Sequence, residues 1–373
     1  MNMSNIRKQF KKILTRYDEN LANKRLLSNI YARKVNFAPL SKEEVAKIKA
    51  YWKPYLFGQK LSLPYWSYHK GAGVSNELEK CIPDNIWFNV ICVQLNDTQF
   101  ARHVGDKSFY DMMSLGIPMP NNLVIVMRGE LLDREHNLLT LKQAIEKLKS
   151  HTEVVCKPSK ESSCGKNVFV YKGSEAAVFL PRLLASGNWV VQEMIKQSSS
   201  LSCFHPSSVN TIRVTTFNFN GEVYIMGAIL RLGVGETRVD NVSSGGIFVA
   251  LDLQTGKLFD VGYTYRYLIT HPFKAHPETG VVFKNHEIPR IMEIFDLAKK
   301  SAKKFPWTKL IGWDFTLDQN DEPLLIEFNL ENQGIDVYQI AYNRPYFGKL
   351  SDEVLEYVKK RLGYEVTPNR DTE

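Results

Sequence analysis

The sequence has no run of the roughly 18 apolar residues that a membrane-spanning helix needs. Its start, MNMSNIRKQFKKIL, carries charge but no apolar segment of a secretory signal. These absences lead to the expectation of a soluble, cytoplasmic protein. Cysteine is sparse: Cys81, Cys92, Cys156, Cys164 and Cys203 are scattered, odd in number and without a CxxC pair. That pattern speaks for reduced thiols and against a disulfide framework or a zinc site. Neither GxSxG nor GxGxxG occurs, which removes the nucleophile elbow and the dinucleotide fingerprint. His271 and His276 stand five apart around Pro272, the wrong spacing for a helical metal pair. Tyr and Trp are abundant but follow no RNA-binding pattern, so no nucleic-acid partner is expected. Internal repeats and low-complexity linkers are missing too.

What is present is a chain of 373 residues, 44% apolar and 12% aromatic, enough for two to three domains with sizeable cores. The net charge is +8 and the pI about 9.0. Much of the excess is local, in Arg7, Lys8, Lys11, Lys12, Arg16, Lys24, Arg25, Arg33 and Lys34. Such a basic helix either faces solvent or docks on an anionic lipid or polymer. Ser41-Lys-Glu-Glu44 is a capping box that opens a helix over Val45 to Trp52. The stretch from Lys53 to Asp84 is aromatic and turn-rich. A helix is expected from Asp106 through Leu115, ending at Gly116-Ile-Pro118-Met-Pro120, and another over Leu141 to Lys149. Asn210 to Phe219 alternates with period two and meets Glu222 to Leu232 through Asn220-Gly221, a strong hairpin signal. A long amphipathic helix is expected over Ile288 to Lys304. Strands and helices intermix throughout, giving an α+β reading.

The chain is organised around Lys309 to Gly334. Leu310 to Leu317 and Pro323 to Phe328 read as strands, joined by the polar turn Asp318-Gln319-Asn320-Asp321-Glu322. Side chains alternate along a strand, so Glu327 and Asn329 share a face, and Asp314 can lie across from them. Two carboxylates and an amide oxygen make a hard-oxygen site suited to Mg²⁺. A hairpin whose acids face water would have the same composition. Upstream, Lys157 ends an apolar strand before Ser159-Lys-Glu-Ser-Ser-Cys-Gly165-Lys166-Asn167, a small-residue loop that can bring backbone amides to phosphate. It is not a Walker loop: Lys160 stands where the first glycine would be, and Asn167 replaces Ser or Thr.

The spacing Asp-x(12)-Glu-x-Asn resembles the metal-binding end of the ATP-grasp ligases. The order Lys107, Lys157, Val190-Val-Gln192-Glu193-Met194-Ile195, Asp314, then Glu327-x-Asn329 is that family's order. Ser208-Val-Asn210-Thr211-Ile-Arg213, Leu230-Arg231 and Val239-Asp240-Asn241-Val-Ser-Ser-Gly245-Gly246 are similar to the sugar-transfer-associated branch, which travels with polysaccharide synthesis. The resemblance spans about residues 100 to 345. It implies an ATP-grasp fold of two α+β subdomains, at 101–190 and 191–373, after an N-terminal domain of residues 1–100. It also implies ATP and Mg²⁺, with Asp314, Glu327 and Asn329 as metal ligands. Lys107, Lys157, Ser162, Ser163 and Gly165 would then hold phosphates, although Ser162 and Ser163 stand where the family's loop usually has glycines. The hinge Gln192, Glu193, Met194 and Ile195 would hold adenine, the base edge meeting the backbone of Met194 or Glu193. Arg231, then Arg213, would stabilise the transferred group, with Asn241 nearby; the alternative is structural ion pairing of Arg213 and Arg231 with Glu222 or Asp240. The implied activity is a carboxylate–amine ligase acting through an acyl phosphate, with small-molecule or glycan-linked substrates in surface-polysaccharide synthesis. The basic N-terminus would offer a peripheral contact with membrane-bound glycan machinery. A kinase of the same fold, or a non-catalytic nucleotide- or glycan-binding module, are the alternatives.

Overall fold

The computed structural model describes residues 24–31, 37–113, 115–160, 167–235, 245–264, 272–331 and 333–364. The chain divides into two compact units, Met1–Leu95 with Arg266–Pro272 and Gly334–Glu373, and Asn96–Tyr265 with Phe273–Gln333.

In the first unit the helix Lys42–Trp52 begins at the expected capping box, Glu44 N donating to Ser41 Oγ (3.1 Å) and Ser41 N to Glu44 Oε2 (2.6 Å). The aromatic stretch after it supplies a core: Trp52, Tyr65, Trp66 and Tyr68 are buried, with the two indoles 6.0 Å apart. Residues 334–373, read from sequence as part of the second subdomain, join this unit. Tyr51 and Tyr55 donate to Asp352 and Glu356 of the closing helix Ser351–Arg361, each at 2.7 Å. Buried Gln339 bonds both backbone groups of Ile82.

The second unit holds two antiparallel sheets. The first comprises β1 (Asn122–Met127), β2 (Glu130–Leu132), β3 (Leu138–Leu139), β4 (Glu153–Pro158), β5 (Phe169–Lys172) and β6 (Trp189–Glu193), in the order β3-β2-β1-β6-β4-β5. Helices Leu141–Lys149, capped by Thr140 and Gln143, and Ala176–Ser186 close its core through Ala144, Leu148, Phe179 and Leu180. The second comprises β7 (Thr211–Phe219), β8 (Glu222–Leu232), β9 (Ile247–Leu251), β10 (Leu258–Thr264), β11 (Leu310–Leu317) and β12 (Pro323–Asn329), in the order β10-β9-β8-β7-β11-β12. Asn220 and Gly221 both take positive φ (51° and 84°), as the β7–β8 turn requires. Helix Ile291–Ala302 lays Ile294, Phe295 and Ala298 into the core that also holds Ile212, Val214, Leu230, Trp313 and Phe315.

Two expected helices differ. The helix expected over Asp106 to Leu115 is a tight 3-10 run, Lys107–Met113. The Asp106 carboxylate accepts from Ser108 N (3.1 Å) and Ser108 Oγ (2.6 Å), a local bond that competes with helical pairing. The helix expected from Ile288 starts at Ile291, because Pro289 is followed by Arg290 in the left-handed region (φ 53°). No helix among the described residues is long and apolar enough to cross a membrane.

Candidate active site

The β11–β12 hairpin turns on Asp318, whose carboxylate accepts from Asn320 N (2.8 Å) and Glu322 N (2.9 Å). Its register pairs Gly312 with Asn329, Trp313 with Phe328 and Asp314 with Glu327, then jumps so that Phe315 faces Leu325. Ile326 is therefore the extra residue of a β-bulge. Strict alternation would place Leu325 and Glu327 on one face. The bulge instead sends both Leu325 and Phe328 into the core. Glu327 and Asn329 then share the opposite face with Asp314, as expected.

Across that face the register runs Glu327, Asp314, Arg213, Ile229. Asp314 is 1% exposed. Arg213 grips it with a two-point fork, Nε to Oδ1 and Nη2 to Oδ2 (2.7 Å). Arg231 Nη2 reaches Oδ2 at 3.3 Å while its Nε donates to Thr211 Oγ1 at 2.8 Å, and Asn329 Nδ2 lies 3.4 Å from Oδ2. Burial pushes the Asp314 carboxyl up, but the two guanidiniums outweigh it and hold the group below the ordinary carboxylate range. Both arginines thus pair with Asp314; Glu222 sits at the far end of β8, and Asp240 lies outside the described residues.

The opposing cations come from the first sheet and the turn before it. Lys107 is buried, with Nζ 3.3 Å from Glu327 Oε2. Its backbone N–H donates to Ser159 O (2.9 Å), and Lys160 pairs with Asp106 at 3.6 Å, so the two lysine-bearing segments are stitched together. Lys157, one residue before the end of β4, is 7% exposed, and its side chain has no hydrogen bond or ion pair among the described residues. Burial, then the neighbouring Lys107 charge, push its ammonium down to about 8, against the pull of Glu327 and Asp314. Ser162, Ser163, Gly165 and Asn241 lie outside the described residues.

The hinge is held by a polar chain that sequence reasoning missed. Asn121 O accepts from Glu193 N (3.2 Å) and Asn121 Nδ2 donates to Glu193 Oε2 (3.0 Å). Gln192 Nε2 donates to Asn122 Oδ1, Asn122 Nδ2 to Asp111, and Arg134 to both Asp111 and Asn121. The Glu193 N–H is therefore spent. Residues Met194, Ile195 and Lys196 make no backbone hydrogen bond among the described residues. Gly312 was missed as well, although a glycine inside an apolar strand close to the acid is a sequence signal.

The donor set fits Mg²⁺: hard oxygens of Glu327, Asn329 and Asp314 stand together on one face. Among the described residues no three His, Cys, Asp or Glu side chains cluster as a metal site, so phosphate oxygens and water would complete the shell.

The profile of the family described as sugar-transfer associated ATP-grasp matches residues 91–353. Among solved structures, the ATP-grasp ligase PsnB complexed with minimal precursor is 11% identical, covers 70% of this chain and 63% of its own, and has a TM-score of 0.40. D-cycloserine synthetase DcsG is 16% identical over 70% of this chain and 73% of its own, with a TM-score of 0.40. N5-carboxyaminoimidazole synthetase from Staphylococcus aureus complexed with ADP is 11% identical over 66% of this chain and 48% of its own, with a TM-score of 0.37. This chain thus spans less than two thirds of the PsnB chain. No curated protein matches.

Proposed function

The chain belongs to the sugar-transfer-associated ATP-grasp family, and on that footing we propose that it is an ATP-dependent ligase joining a carboxylate to an amine. The observation that carries the reading is Lys157, a buried cation without a partner among the described residues, beside a second buried lysine. An unpaired buried charge is costly, and an anion delivered into the site removes the cost. A polyphosphate fits, with Lys107 and Lys157 on its oxygens and Mg²⁺ at Glu327, Asn329 and Asp314. Bound there, the ion would supply neutralising charge to the phosphates.

The substrate carboxylate attacks the γ-phosphorus, ADP leaves, and the amine displaces phosphate from the resulting acyl phosphate. Protein groups contribute position and charge rather than covalent chemistry. Arg231 is the first choice for steadying the transferred group, because Arg213 commits its fork to Asp314. Met194 would present the backbone donor for the base, with Ile195 against its face. The carboxylate and amine are proposed to be small or glycan-linked partners in surface-polysaccharide synthesis, used in the cytoplasm.

The test is a thermal shift with a non-hydrolysable ATP analogue, with and without Mg²⁺. A ligand that binds only the folded state raises the melting temperature by mass action. A Mg²⁺-dependent rise, lost in Glu327→Ala, is expected. No rise at millimolar nucleotide sinks the reading, and a phosphorylated hydroxyl product on mass analysis moves it to a kinase.

A further inference from the structure

Of the six tryptophans, Trp52, Trp66, Trp87, Trp189 and Trp313 are at most 8% exposed, whereas Trp307 is 58% exposed. It stands at the end of KKSAKKFPW, the exit of helix Ile291–Ala302. We propose that this corner, Lys299 to Trp307 with Phe100, docks on an anionic lipid bilayer. The inference is independent of the nucleotide reading.

The helix buries Ile294, Phe295 and Ala298 and leaves its other side to solvent. Four lysines crowd its last turn and exit: Lys300, Lys303 and Lys304 are exposed and Lys299 half-buried. Among the described residues no carboxylate pairs with Lys299, Lys300 or Lys303, not even Asp296 one turn earlier. A helix C-terminus favours cations, which accounts for a lysine or two but not for an exposed indole beside them.

The corner is rigid. Phe305 is buried against Trp313 (6.1 Å) and Phe328 (5.3 Å). Thr308 returns two bonds to Phe305 O, from N (3.1 Å) and Oγ1 (3.3 Å). Trp307 is held between these anchors with one side on Phe100, ring centroids 4.6 Å apart, and Phe100 itself rests on the core. A preordered indole pays little entropy on insertion. An indole belongs at the headgroup level of a bilayer, where lysine stems lie along apolar surface and their ammonium groups meet anionic headgroups. Clustered lysines such as Lys299, Lys300 and Lys303 are drawn to an anionic surface in this way. A soluble polyanion would use the charges and leave the indole without a role.

The full-length chain is mixed with phosphatidylglycerol/phosphatidylcholine vesicles carrying brominated acyl chains, and tryptophan emission and cosedimentation are read. Salt-sensitive cosedimentation with bromine quenching is expected, because the exposed indole is the one within reach. Trp307→Ala should abolish the quenching, and Lys300→Gln with Lys303→Gln should weaken binding by roughly tenfold or more. No binding, or equal binding to neutral vesicles, overturns the proposal. So does anionic binding that both variants leave intact, since the basic N-terminus would then be the contact. Dextran sulfate binding through the same lysines, without bromine quenching on vesicles, also overturns it in favour of a soluble polyanion.

Discussion

Asp314 in the second sheet is gripped by Arg213, Arg231 and Asn329, while Lys157 at the end of a first-sheet strand has no partner among the described residues. Both groups are buried, so the dielectric surroundings do not explain the difference. One side of the site has its charges arranged before any ligand arrives. The other is left incomplete, at a cost that a ligand can recover. Under the proposed function, the arranged half would define where chemistry takes place and the incomplete half would make binding worth having.

That contrast gives mutations of opposite sign. Asp314→Ala removes the acid and strands two half-buried guanidiniums, so a loss of about 3–5 kcal/mol is expected in urea unfolding. A loss under about 1 kcal/mol would mean that the second sheet is not held by this network. Lys157→Met should stabilise the ligand-free protein by on the order of 2 kcal/mol, since it deletes an unpaired buried charge, while abolishing the nucleotide-dependent thermal shift. The pH dependence follows the same sign. The folded-state pKa of Lys157, about 8, lies below its ordinary 10.5. Between those values the unfolded chain binds the extra proton, so stability rises as pH climbs from about 8 towards 10.5 and the penalty is full below 8. Wild type should show that rise relative to Lys157→Met; parallel curves would place the lysine in water instead.

Gly312→Ala is the mildest change. A Cβ there would meet Gln333 Oε1 at 2.5 Å and approach Arg213 Cδ at 3.4 Å. An expected loss of about 1–3 kcal/mol reflects overpacking against Gln333. An unchanged melting temperature would show that Gln333 yields freely.

Much of this was legible in the chain because it is local. The Ser41 capping box, the Asn220-Gly221 turn and the shared face of Glu327 and Asn329 each need only neighbours to specify them. The cross-strand ion network was half legible: Arg213 and Arg231 were singled out, but their acid was sought at Glu222 or Asp240. The register that places Asp314 beside Arg213 is a property of three strands together. The hinge brace was invisible for a similar reason. Asp111, Asn121, Asn122 and Arg134 are ordinary polar residues until folding brings them to Gln192 and Glu193. The bulge at Ile326 could not be read either, since an apolar residue between Leu325 and Glu327 breaks no local rule.

That bulge makes local backbone geometry, more than residue identity, the carrier of information in β12. Ile326 is half-buried and a similar apolar side chain would serve there. Removing the position altogether would leave the faces as they are, since Leu325 and Glu327 would then alternate as neighbours opposite Phe315 and Asp314. Flattening the bulge with Ile326 retained is what would shift the phase: Leu325 would share a face with the acid, or Glu327 and Asn329 would be driven towards Trp313 and Phe315. The strand thus carries one residue more than its two faces need, and the kink is where it is absorbed.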